Sequence, residues 1–224
     1  AGAVVPREGG ASDRLRILAI VLLILNISPA TAGAWMRDKG SGYSSTTLST
    51  TLSQDFSEST YLEFGVRDDL TLGAEVAFYT FSTGIQSGTA MVFLRRPIGG
   101  RDRPNIWAYE LGFGAGWSAD IVRPYVRGGL SWGRGYQLRQ LNGWMTVDAS
   151  LFIDTYYAEH IGKVDSTIGL NFSDRLSGMV QVFHAATPNI SATSIAPSIL
   201  FKPLKRRPNI RLQIGAETQI GNAE

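Results

Sequence analysis

From Tyr61 to Tyr79 the chain changes polarity at almost every residue. Leu62, Phe64 and Val66 alternate with Tyr61, Glu63 and Gly65. After Arg67-Asp68-Asp69, Leu70, Leu72, Ala74, Val76 and Phe78 alternate with Thr71, Gly73, Glu75, Ala77 and Tyr79. A period of two on both sides of a short polar break predicts two antiparallel strands joined by a tight turn. The pattern then recurs along the chain. A Ser/Thr-rich strand over Thr46 to Gln54 carries Leu48 and Leu52, and Ala90, Val92 and Leu94 lie opposite Arg95. Trp107, Tyr109, Leu111, Phe113, Ala115 and Trp117 form the clearest apolar face, against Ala108, Glu110 and three glycines. Further strands are expected around Val126–Trp132, Met145–Asp154, Val164–Phe172, Val180–Val182, Ser194–Phe201 and Ile210–Glu217. That makes eleven strands, most of them long enough for a tilted membrane crossing.

The polar faces decide between a soluble sandwich and a membrane barrel. A sandwich would put a solvated face rich in Lys, Glu and Arg opposite its core. Here that face is Gly, Ser, Thr and Gln with scattered charges, which suits a closed barrel whose inner side chains converge. Aromatics at strand ends (Tyr79, Trp107, Trp117, Trp132, Trp144, Tyr156, Phe201) fit the two interfacial girdles of such a barrel. The expected architecture is therefore all-β, a closed antiparallel up-and-down transmembrane β-barrel. Leu62, Phe64, Leu72, Val76 and Phe78 should face lipid, with Glu63 and Glu75 inside.

Composition sharpens this picture only a little. The chain has 224 residues, 18% of them charged, and a mean hydropathy near zero. A net charge of +2 is too small to argue for nucleic acid, and the absence of cysteine excludes disulfides and thiolate metal sites. The N-terminus adds more. Arg14 and Arg16 precede the apolar run Ile17 to Ile27, which is too short to span as a helix, and Ala30-Thr31-Ala32 follows. This is the order of a secretory signal with an A-x-A cleavage site. Cutting after Ala32 makes 1–32 a leader and 33–224 the barrel, and it directs the chain to the outer membrane.

Two echoes bear on the strand count. GVRDDLTLGAEVAF at Gly65 is echoed by GLNFSDRLSGMVQVF at Gly169, and RPNI occurs at Arg103 and Arg207. The offsets, 106 residues from Leu70 to Leu176 and 104 from Arg103 to Arg207, map six strands onto six and predict twelve. Single-chain bacterial barrels are also even-numbered, with short periplasmic turns and longer outer loops. Eleven legible strands thus imply a twelfth beyond the sequence given; one wrongly split strand, and ten in all, is the alternative.

The stretches GAWMRDKGSGY, YLEFGVRDDLTLGAE and LQIGAETQIGNAE resemble a group of poorly characterised outer-membrane barrel proteins of proteobacteria, of porin or transporter type. The resemblance implies fold and location. It brings no functional residue with it.

No catalytic or metal-binding constellation is legible. His160 lies near Asp154 and Glu159, and His184 ends a strand, but Ala186 stands where lipid-hydrolysing barrels of the His-x-Ser type carry serine. GFGAG at Gly112 has no following helix or Lys to make it a phosphate loop. A non-enzymatic protein without cofactor or metal is the expectation. A lipid-modifying enzyme using His184 is the weakest of three readings. The chemistry is instead expected in the lumen, where alternation directs Glu63, Glu75, Glu110, Asp148, Asp154, Asp165 and Glu217 inward with Arg95, Arg127 and Arg211. Left wet, these would favour cations or small polar solutes through a passive pore. Paired, they would fill a closed barrel serving a structural or surface role through its outer loops. Outer-membrane lipid and a small polar solute or cation are the expected partners.

Overall fold

The computed structural model of the chain describes residues 18–25, 33–100, 102–118, 121–156, 159–204, 206–207 and 209–223, with 18–25 and 222–223 described by backbone alone. The strands are β1 (Leu18–Leu25), β2 (Gly42–Thr50), β3 (Phe56–Arg67), β4 (Leu70–Thr80), β5 (Gln86–Ile98) and β6 (Asn105–Ser118). They continue as β7 (Ile121–Leu138), β8 (Leu141–Asp154), β9 (His160–Asn171), β10 (Leu176–Ala186), β11 (Ser191–Phe201) and β12 (Ile210–Ala223). Each pairs antiparallel with its neighbour in sequence, and β1 also pairs with β12, so the sheet closes on itself. Closure leaves no strand edge unpaired, the condition for strands in hydrocarbon, where no water can satisfy a free N–H or C=O.

All eleven strands expected from alternation are present, as β2 to β12. The twelfth differs in origin. Leu18–Leu25, within the run that reads as a leader, occupies the place between β2 and β12. Arg14, Arg16 and Ala30-Thr31-Ala32, which carry the rest of the leader reading, lie outside the described residues.

The outer face is apolar. Phe64, Leu72, Phe78, Leu94, Leu111, Phe113, Leu130, Ile168, Ile199 and Ile214 are all exposed, Phe113 by 68%. So much exposed apolar surface around a closed barrel is a lipid-facing band, not a soluble surface. Trp107 opposes Trp132 on adjacent strands near one rim. Phe78 meets Trp117 edge to face, centroids 5.8 Å apart, near the other.

Trp144 departs from the girdle expectation. It is buried inside the barrel with Met179 and Leu200, because Gly143, Trp144 and Thr146 are buried while Leu151 and Ile153 further along the strand face out. The expected contrast of loop lengths is also absent. From β2 onward, the connections at the rim carrying Arg67–Asp69 run from two residues to eight, the longest over 202–209; at the far rim none exceeds five.

Candidate functional site: a lumen stopped from within

Inward positions on β3 to β7 carry a chain of charges of alternating sign. Arg95 donates to Glu63, to Glu110 at 2.6 Å and to the Tyr61 hydroxyl at 2.9 Å; Tyr61 in turn donates to Glu63 at 2.6 Å. Arg127 donates to Glu110 and reaches Glu75 at 3.2 Å, and Arg37 donates to Glu63. The order Arg37–Glu63–Arg95–Glu110–Arg127–Glu75 balances three positive charges against three negative. Register explains it: Arg95 faces Glu110 directly across β5 and β6. Phe93 lies beneath, with the guanidinium groups of Arg95 and Arg127 at 5.2 and 5.3 Å from its ring centre and Tyr61 stacked at 5.6 Å. Gly73 makes room for that ring, since a Cβ there would stand 2.0 Å from it.

The residues before β2 enter the barrel. Gly33, Ala34, Met36 and Arg37 are buried, and Trp35 packs on the cluster of Trp144, Met179 and Leu200. Trp35 fills the space over Gly133, where a Cβ would meet its ring at 2.5 Å. Arg37 accepts a place in the ionic chain, and its backbone N–H donates to Thr71 Oγ1 at 3.2 Å. The segment then turns back at Gly40, whose positive φ of 79° favours glycine, and is tied to the rim. Gly40 N–H donates to Gly65 C=O at 2.8 Å, and Lys39 N–H to Asp68 at 3.2 Å. Gly65 is required here because a Cβ would stand 2.1 Å from the Asp38 carbonyl.

Across the lumen, β10 and β11 present no inward Asp, Glu, Lys or Arg, and uncharged groups meet there. Gln213 donates to Ser198 at 3.0 Å and to Gln181 at 3.4 Å, while Gln181 reaches Thr167 at 3.5 Å. Between this wall and the rim lies a cavity of about 340 Å³, lined among others by Asn142, Asn171, Ser177, Lys202 and Arg211.

Of the ten residues expected to line the lumen, five join one network: Glu63, Glu75, Arg95, Glu110 and Arg127. Asp148 faces Asp165 across β8 and β9, and Arg211 lines the rim cavity. Asp154 lies 3.9 Å from Arg123 towards the far rim, and Ser194 donates to Glu217. Sequence reasoning missed Arg37, Tyr61, Phe93, Lys163 and the inward place of Trp144. Alternation contained four of them; Lys163, for instance, stands 4.7 Å over the inward ring of Phe152. Arg37 belongs to no strand and had no such signal. His184 shares a hydrogen bond of 2.9 Å with Thr193, which is a strand-to-strand pair and not a nucleophile–base–acid array. Among the described residues no group of three His, Cys, Asp or Glu is placed to hold a metal ion.

The architecture defines the class: a membrane β-barrel of outer-membrane type. No protein family and no curated protein matches the chain. Among solved structures it is similar to one described as a bacterial polysaccharide outer membrane secretin, at 7% identity over 94% of this chain and 100% of that one, with a TM-score of 0.44. It is also similar to OmpTdeltaL8, a loop L8 deletion mutant of OmpT, an outer membrane protein of Vibrio cholerae. That match has 9% identity over 92% and 98% of the two chains and a TM-score of 0.35. The expectation that the chain is not an enzyme is withdrawn on the match to OmpTdeltaL8. One barrel architecture carries unlike activities, so the barrel excludes catalysis no more than it establishes it.

Proposed function

We propose that the chain is an outer-membrane pore for small polar solutes that rests shut, with Ala34–Arg37 as its stopper. One observation carries this reading. A segment outside the barrel wall lies buried within the lumen, held there by side chains and a few hydrogen bonds, while side chains beyond it are polar and exposed to solvent. The Glu75 side chain is 38% exposed there, and Lys163 is exposed as well. With Arg37 and Lys163 added to the three expected arginines, five inward cations stand against seven acids, so any preference for cations should be weak. The alternative of a closed scaffold acting through outer loops has less support, because far-rim connections of at most five residues offer little surface.

The test is conductance across a planar bilayer, for the refolded chain and for a W35A/R37A double variant. The intact protein should be almost silent and the double variant steadily conducting. Silence from both, with the barrel shown to be folded, would make it a closed scaffold. Steady current through the intact protein would remove the stopper.

A further inference from the structure

We infer that removal of the leader creates a structural ion pair inside the lumen, between a new α-ammonium group at Gly33 and the carboxylate of Asp148. Asp148 Oδ1 is buried and, among the described residues, has no hydrogen-bond partner. Gly33 packs directly on it: a Cβ built on Gly33 would stand 1.7 Å from Asp148 Oδ1. The glycine nitrogen is about 2.5 Å from such a Cβ position, which puts it within about 4 Å of that oxygen. A buried carboxylate oxygen left unpaired is costly, and a second acid, Asp165, faces Asp148 in register across β9. On its other side the register partner is Ser131, a neutral residue. Among the described residues no cation pairs with Asp148; Lys163, on the same inward face of β9 as Asp165, stands over the Phe152 ring. The ionic chain on β3 to β7 already commits Arg37, Arg95 and Arg127 to Glu63, Glu110 and Glu75.

Cleavage after Ala32 supplies a cation at the right place. A leader peptidase and one water molecule hydrolyse the Ala32–Gly33 amide. The Ala32 carbonyl carbon keeps the hydroxyl oxygen as a carboxylate, and the Gly33 nitrogen leaves as an amine that is protonated near neutral pH. As an uncut amide, the same nitrogen offers Asp148 one neutral N–H; as an ammonium it offers charge and three donors. Processing therefore anchors the inner end of the Ala34–Arg37 segment, on the opposite side from the rim ties at Gly40 and Lys39. Cutting also removes β1, so that β2 and β12 must then pair with each other or with another strand, since unpaired edges do not persist in hydrocarbon. Retention of Leu18–Leu25 as the closing strand and an ammonium at Gly33 are mutually exclusive in one molecule.

The experiment takes the protein from outer membranes, measures its intact mass and N-terminal sequence, and labels it with a water-soluble acetylating reagent at mildly alkaline pH. The chain is expected to begin at Gly33. Its amine should react at least ten-fold more slowly in the folded barrel than after denaturation, and D148N should restore most of the lost reactivity. A chain that begins upstream of Gly33 overturns the proposal and assigns β1 the permanent closing role. Equal protection in wild type and D148N overturns it too, because burial alone would then explain the slow reaction. If D148N does not fold, titration of the wild-type Gly33 amine by NMR decides instead: a pKa above the ordinary value of about 8 supports the pair, and one at or below it refutes the pair.

Discussion

Between β3 and β7 the lumen wall is a chain of guanidinium and carboxylate groups; at Trp144, along β10 and β11, and at Gln213 of β12 it is amides, hydroxyls and a few large apolar side chains. Both walls are buried at the level of the stopper, and they are buried on different terms. On the charged wall Glu63 and Glu110 are each shared by two arginines, so the charges are satisfied only as a set. On the neutral wall Gln213, Ser198 and Gln181 make ordinary hydrogen bonds, and Trp144, Met179 and Leu200 need no partner beyond contact. The charged wall is thus the fragile one: loss of one member strands its neighbours, whereas the neutral wall loses only what is removed.

The sharpest way to break this contrast is Arg95→Met. It leaves Glu63 and Glu110 buried with one cation fewer each and Tyr61 without its donor, and should cost about 3–5 kcal/mol of stability. Urea unfolding of the barrel folded into lipid vesicles measures it. A loss below about 1 kcal/mol would mean that water reaches the network, and the two walls would then be equivalent. Trp35→Ala comes next, at about 2–3 kcal/mol, from the half-buried indole leaving a cavity against Trp144 and over Gly133. Its loss should not depend on salt, because no charge is involved.

Much of this was legible in alternation. The period-two pattern placed eleven strands and put Glu63, Glu75, Arg95, Glu110 and Arg127 on the face where they meet, because a strand residue has only two directions to face. What alternation could not convey was occupancy. Glycines at 73 and 169 read as small inward residues suited to a narrow barrel; each in fact holds open the place of an aromatic ring, from Phe93 and Trp144 respectively, as Gly133 does for Trp35. Nor did it reveal Arg37, whose position depends on a segment that leaves the wall and folds back through the lumen. A tryptophan at a strand end reads equally well as girdle or as core, and for Trp144 the inward phase of its strand decided.

Gly73→Ala tests that use of glycine. The new methyl group meets the Phe93 ring, so the expected loss is about 1–3 kcal/mol. Phe93→Leu added to it should recover part of that loss, giving a coupling of about 1 kcal/mol in a double-mutant cycle. On the neutral wall, Gln213→Leu should cost only about 1 kcal/mol, since it removes two hydrogen bonds between uncharged groups and keeps the volume filled. A loss as large as that of Arg95→Met would erase the distinction between the walls.

The smallest effect is expected outside the membrane, at the rim turn. Asp69 is fully exposed and paired with Arg67 at 3.1 Å and Arg96 at 2.5 Å. Desolvation raises its pKa, and the hydrogen bond from Arg96 together with the charges of Arg67 and Arg96 outweighs this, so the carboxyl sits below the ordinary aspartate value. A depressed folded-state pKa stabilises the protein above the unfolded value, and that contribution disappears as pH falls through the folded one. Asp69→Asn should therefore leave the unfolding midpoint unchanged near neutrality at about 0.15 M salt, where exposed pairs are screened. At low salt the variant should lie slightly below wild type at neutral pH and meet it in acid. Arg95→Met should show no comparable convergence at high salt, since its partners are shielded by the barrel rather than by ions in solution. A salt dependence of equal size for the two substitutions would place the lumen network in water as open as that around the rim.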